Sequence, residues 1–215
     1  VLVTGIEDQS FTSRIFNSTG ETPYDSHSVA GTAAFLVKSN QLQPGMVARG
    51  GRKVWTDGRT VRAVFSGRSV HEPTPVNRSL IGRYPAHATG VGRPFTLVRV
   101  DSEPLDIAAP DMDQMGELGI TDLTYYRWDP KLKLIKARVF APGFGIAEDA
   151  GCLPVAAALG TAGLVQSPGS VIDVIQVTSR DTASTFVCRG TIDDGRADVE
   201  VTARVWIDDS TGGKP

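Results

Sequence analysis

The sequence predicts an α+β fold with two pseudo-symmetric, β-barrel-like lobes, each built around one central buried helix. Three observations lead there. Most segments alternate polar and apolar residues or are rich in β-branched ones, the pattern of half-buried strands. Two stretches, VAGTAAFLVK (29–38) and VAAALGTAGLV (155–165), are instead small-residue and apolar nearly all round, as a helix enclosed on every side must be. The third is an internal repeat. Shifted by 124 positions, the two halves align without a gap over about thirty residues, with Arg14 on Arg138, Phe16 on Phe140, Asp25 on Asp149, Ala33-Ala34 on Ala157-Ala158 and Pro44-Gly45 on Pro168-Gly169.

Taken in order, the strand-like segments are 13–16, 61–65, 95–100, 134–140 and 199–206. Gly50-Gly51, Thr56-Asp57-Gly58-Arg59 and Asp193-Asp194-Gly195 read as hairpin turns. An amphipathic helix is expected over 111–118, after Pro110. The stretch from His71 to Gly90, with Pro73, Pro75 and Pro85, reads as a linker. The expected division is therefore an N-terminal lobe over 1–90 and a C-terminal lobe over 91–215. In each copy of the repeat, a loop carrying a carboxylate ends where a helix begins. The unpaired N–H groups and dipole of a helix N-terminus favour an anion. Two such loops meeting between lobes predict a cleft for a small carboxylate.

Composition narrows the function. The chain has 215 residues, of which 40% are hydrophobic and 21% charged, which is ordinary globular usage. A net charge of -2 speaks against a broad nucleic-acid footprint. No apolar run is long enough for a membrane span, so a soluble, cytoplasmic protein is expected. Cys152 and Cys188 are too few for a disulfide framework, and His27, His71 and His87 are scattered, so no metal site is expected. Trp55, Trp128 and Trp206 read as barrel or interface packing, and Cys188 as core.

The residues around the repeat resemble a known family. Arg14-Ile15-Phe16, then Glu21-Thr22-Pro23-Tyr24-Asp25-Ser26-His27-Ser28 and Gly31-Thr32-Ala33, are similar to the R-I-F-x-P-x-x-E-L-P-F-A-G-H-P-x-x-G-T-A segment of the phenazine-biosynthesis-like (PhzF-like) isomerases. Arg138-Val139-Phe140-Ala141-Pro142 through Gly145-Ile146-Ala147-Glu148-Asp149 resembles that family's second segment, R-x-F-x-P-x-x-G-x-x-E-D-x-x-T-G-S-A, and Val174-Ile175-Gln176 sits where it has I-x-Q-G. The resemblance implies a diaminopimelate epimerase-like fold. It also implies a cofactor-independent isomerase that moves a proton or double bond in a small unsaturated or cyclic carboxylate or amino acid. The setting implied is bacterial secondary metabolism, and a homodimer is compatible with it. The chain departs from the family in three places. The family's Ser-Glu-Thr motif, whose glutamate is its main proton shuttle, precedes the first matched residue and has no counterpart here. The family's glycine before the histidine is Ser26, and its T-G-S-A is Cys152-Leu153-Pro154-Val155. A non-catalytic, carboxylate-binding member of the fold is the rival reading.

By this resemblance, His27 and Asp149 are the candidate catalytic pair, and Asp25, Ser26, Ser28 and Cys152 the candidate substrate contacts. An imidazole titrates near neutral pH and suits proton relay. Asp149 would bind substrate or handle the second proton, or else cap a helix. Asp25 could pair with His27 or cap the other helix. Cys152, at a helix N-terminus, would have a lowered thiol pKa if it acted as a base. Its repeat mate is Ser28, which excludes a two-thiol racemase, and packing is the alternative role of Cys152.

Overall fold

The computed structural model describes residues 1–17, 20–23 and 26–206. The first half contains β1 (Leu2–Glu7), β2 (Ser10–Arg14), β3 (Phe16–Asn17), β4 (Gly20–Glu21), α1 (Ser26–Lys38), β5 (Gly45–Arg49), β6 (Arg52–Thr56) and β7 (Thr60–Pro73). After the short α2 (Arg78–Ile81) come β8 (Ala86–Val91), β9 (Arg93–Arg99), α3 (Met112–Glu117) and β10 (Leu123–Asp129). The chain continues with β11 (Leu134–Ala141), β12 (Ile146–Asp149), α4 (Leu153–Gln166), β13 (Ile172–Val177), β14 (Ala183–Asp193) and β15 (Arg196–Arg204).

Eight of these strands close on themselves. Pairing runs β7-β15-β14-β13-β11-β10-β9-β8 and returns to β7, because β8 pairs antiparallel with the far end of β7. The ring is mixed: β9–β10 and β11–β13 are parallel, and its other pairs are antiparallel. Helix α4 touches β7, β8, β9, β11, β13, β14 and β15, strands distributed round the ring. Its residues from Val155 to Leu164 are all buried. They join Leu97, Trp128, Ile135, Val174, Phe186, Cys188 and Val199 in the main core. The Ala and Gly residues of this apolar helix let it approach the neighbouring strands closely, as at Gly160 and Gly163, where a Cβ would meet Cys188 and Ile172.

The sheet continues beyond β7 through β6, β5, β2 and β1 as an open extension. Helix α1 packs on β6 and β7. There Val29, Ala33, Leu36 and Val37 form a second core with Phe11, Val47, Val54 and Ala63. Unlike α4, it is not enclosed: Phe35 is 48% exposed. The expectation of a helix buried on every side fails for α1: Ala30 and Ala34 join the main core and Ala33 and Leu36 the second one, but the face carrying Phe35 is left uncovered. A third cluster outside the ring joins Leu80, Ile81, Met115, Leu123 and Tyr125, and the Tyr125 hydroxyl donates to the Leu80 carbonyl at 2.9 Å.

The expected linker over 71–90 is a second correction. Residues 69–73 of β7 pair with 87–91 of β8, so this stretch is the seam that closes the ring. The prolines misled because they sit where they cost no ladder bond: Pro73 ends β7, and Pro75 and Pro85 lie in the connection between strands. The 90/91 division falls inside the β8–β9 hairpin. Trp206 is 87% exposed and so is not barrel packing, whereas Cys188 is fully buried, as expected. The helix expected over 111–118 is α3, with Asp111 accepting from the Asp113 and Gln114 N–H groups as its N-cap.

Candidate functional site

The two copies of the repeat converge on one cavity of about 200 Å³. From the first copy come Ile15, Phe16 and Thr22, then His27 and Ser28 on the first turn of α1. From the second come Val139 and Ala141 of β11, Phe144 of the turn that follows, Ile146 and Asp149 of β12, then Cys152, Pro154 and Val155 at the start of α4. Four of the six expected site residues, His27, Ser28, Asp149 and Cys152, therefore line one cavity. Asp25 lies outside the described residues, and Ser26 opens α1.

Each copy carries an arginine held by a glutamate. Arg14 meets Glu21 at 2.6 Å on the surface. Its repeat mate Arg138 is buried and donates from Nε to Glu148 Oε1 at 2.5 Å and from a terminal nitrogen to the Ile107 carbonyl at 2.8 Å. Glu148 also accepts from the Ser179 hydroxyl at 2.6 Å and the Ser179 N–H at 3.1 Å. Burial alone would raise the Glu148 carboxyl. The hydrogen bonds from Arg138 and Ser179 outweigh it and hold the group below its ordinary range. Glu148 thus fixes the loop, and Asp149 beside it faces the cavity.

Asp149 is not the cap of α4. Its Oδ1 accepts the Gly151 N–H at 2.9 Å, a local turn that leaves Oδ2 with no hydrogen bond among the described residues. The N-cap is Cys152. Gln176, fully buried in β13, clasps the Cys152 backbone from both sides: its Oε1 accepts the Cys152 N–H at 2.7 Å, and its Nε2 donates to the Cys152 carbonyl at 2.9 Å. The glutamine picked out by resemblance is therefore a positioning residue for the helix start.

Of the two roles open to Cys152, the structure favours packing over a base. Burial first, then the Asp149 carboxylate, push it up to about 12. These effects outweigh the helix N-terminus, and the group stays a neutral thiol in the wall. Leu153 turns away from the cavity into the main core.

Two polar residues escaped the sequence reading. Asp122, 6% exposed just before β10, accepts the Thr96 N–H at 2.9 Å and the Thr121 hydroxyl at 3.1 Å. Arg93, the first residue of β9, reaches Asp122 Oδ2 at 3.4 Å. Its guanidinium lies 4.6 Å from the Phe144 ring centroid and 5.2 Å from that of Phe95. All four of these side chains line the cavity. No sequence pattern marks them, because they meet only through the turn over 142–144 and the parallel β9–β10 pairing.

No protein-family model matches the sequence, and no curated protein is similar to it. Solved structures are. A PhzF-family protein from Enterococcus faecalis superposes with a TM-score of 0.70 at 17% identity, over 94% of this chain and 80% of that one. A putative PhzC/PhzF protein from Clostridium difficile gives 0.71 at 13% identity, over 92% and 77%. The fold is that of the PhzF-like isomerases. It extends to a hydroxyproline epimerase from Agrobacterium vitis solved with trans-4-hydroxy-L-proline, at a TM-score of 0.58 and 14% identity over 94% and 70%. Within this PhzF-type fold, no helix among the described residues is long and apolar enough to cross a membrane, and no metal-binding cluster forms among them.

Proposed function

We propose that the chain is a cofactor-independent isomerase that moves a proton or double bond within a small unsaturated or cyclic carboxylate or amino acid. The observation that carries this reading is the shared cavity, which receives His27 from one copy of the repeat and Asp149 from the other. On this reading the two copies are facing lobes descended from one duplicated unit, with substrate between them. A cavity of about 200 Å³ is smaller than the ~300–1,000 Å³ of drug-sized sites, which suits a metabolite.

His27 carries the proton, because imidazole is the side chain that both takes and gives one near neutral pH. Asp149, with Oδ2 uncommitted, orients the substrate or holds the proton at the second carbon. Ser28 supplies a hydroxyl beside His27, and Cys152 packs against the substrate as an uncharged wall. In D2O, incubation with a panel of unsaturated and cyclic amino and keto acids should place deuterium at the isomerised carbon, read by proton NMR. His27→Ala and Asp149→Asn should each lower turnover by about a hundredfold or more. Full activity in both variants would place the chemistry elsewhere. A protein that binds members of the panel yet exchanges no proton would be the carboxylate-binding rival.

A further inference from the structure

A carboxylate needs a partner in this cavity, and the backbone at the start of α4 is a poor one. The Gly151 N–H goes to Asp149 and the Cys152 N–H to Gln176. Pro154 has no N–H, and the Ala156 N–H bonds the Cys152 carbonyl at 2.9 Å. The donors that would face an anion at a helix start are therefore largely spent inside the protein. A cation stands on the same cavity instead. Arg93 has two aromatic rings near its guanidinium, which occupy faces rather than N–H groups. Among the described residues its one hydrogen bond is the long, 3.4 Å contact to Asp122. The oxygens of Asp122 are already engaged by Thr96 and Thr121. What Arg93 leaves unused is the planar edge of a guanidinium, the shape that matches a carboxylate with two parallel N–H···O bonds.

We propose that Arg93 is the carboxylate anchor and a specificity-determining residue of this site, selecting a monocarboxylate whose flat or cyclic apolar body lies against Phe95, Phe144 and Ile146. The proposal rests on the isomerase site described above only in taking that cavity as the place where the ligand sits.

Benzoate and benzamide are the test probes, since they share the ring and differ in the charge that Arg93 would read. Titration followed by ligand-observed NMR should show benzoate bound by the wild type and benzamide at least about tenfold weaker, the usual worth of a charged hydrogen bond. Arg93→Met should weaken benzoate by about tenfold or more and leave benzamide unchanged. Arg93→Lys, which keeps the charge without the fork, should fall between. Three results would each overturn the anchor: no benzoate binding to the wild type, equal affinity for the two probes, or benzoate binding that survives in Arg93→Met. The isomerase reading is scored separately. Benzoate held through Arg93 with no proton exchange on any substrate retains the anchor and sinks the isomerase. Exchange with an unaltered KM in Arg93→Met does the reverse.

Discussion

Replacing Gly163 with Ala tests whether α4 really fills the ring. In a free helix the change would stabilise by about 0.5–1 kcal/mol, since Gly is a poor helix former. Here a Cβ at 163 would meet Ile172 Cγ2 at 2.9 Å, Cγ1 at 3.0 Å and Cδ1 at 3.1 Å. Carbon atoms pack best at about 3.5–4.0 Å, so the methyl must push a fully buried, β-branched side chain of β13 outward. Overpacking of this kind costs about 1–3 kcal/mol, which leaves a net loss of about 0–2.5 kcal/mol, centred near 1 kcal/mol. Gly31, on the open α1, is the control: no atom lies within 4 Å of its Cβ position. Gly31→Ala should therefore raise the urea midpoint while Gly163→Ala lowers it. Adding Ile172→Ala removes all three colliding atoms. The double variant should then be more stable than the sum of the two singles by about 1–3 kcal/mol. Strict additivity, or stabilisation by Gly163→Ala alone, would mean that α4 is not seated against β13 as described.

The buried Arg138–Glu148 pair should behave as a structural clamp. Arg138→Met leaves a carboxylate only 15% exposed with Ser179 alone, and should cost about 3 kcal/mol in urea unfolding. Because Glu148 is held below its ordinary value of 4.5, its contribution is complete above that pH and is lost as pH falls below it. Acid titrations of stability should show that limb in the wild type and a flatter one in Glu148→Gln. His71 gives a second window. Burial and the stacked His87, 4.9 Å away, push it below the usual 6.5, so the unfolded chain binds its proton first. Stability should be complete above that pH and fall below it. In His71→Gln, fluorescence-monitored unfolding between pH 7 and 5 should show this loss reduced, and an unchanged slope would refute the assignment.

The parts of the fold legible in sequence were those with a local period. The strand over 134–140, the small-residue stretch of α4 and the three glycine turns all follow from neighbours a few residues apart. The seam at 71–90 was misread because proline reports local geometry, and whether β7 finds β8 is settled by a partner fourteen to twenty-two residues away. The near-uniform apolarity of 29–38 could not separate α1 from α4, because enclosure depends on how many strands surround a helix. At the site, His27, Ser28, Asp149 and Cys152 came from the resemblance carried by the repeated segments, and all four line the same cavity. Arg93 and Asp122 carry no such mark. Each is an ordinary charged residue beside a strand until the turn over 142–144 brings Phe144 against the guanidinium.

The chemistry open to the cavity is narrowed by Cys152. Burial and the Asp149 charge hold its thiol in the neutral form, and Ser28 stands at the matching place in the first copy. A mechanism with a thiolate on each side of the substrate therefore has no base to begin it. The same burial that silences the thiol makes the site a suitable host for an apolar ring. Asp149 contributes to both effects, since its charge opposes ionisation of Cys152 while its Oδ2 remains open to substrate. On the proposed reading, a proton moved in this cavity passes between His27 and a carboxylate, and that exchange relocates a hydrogen between two carbons of a bound acid.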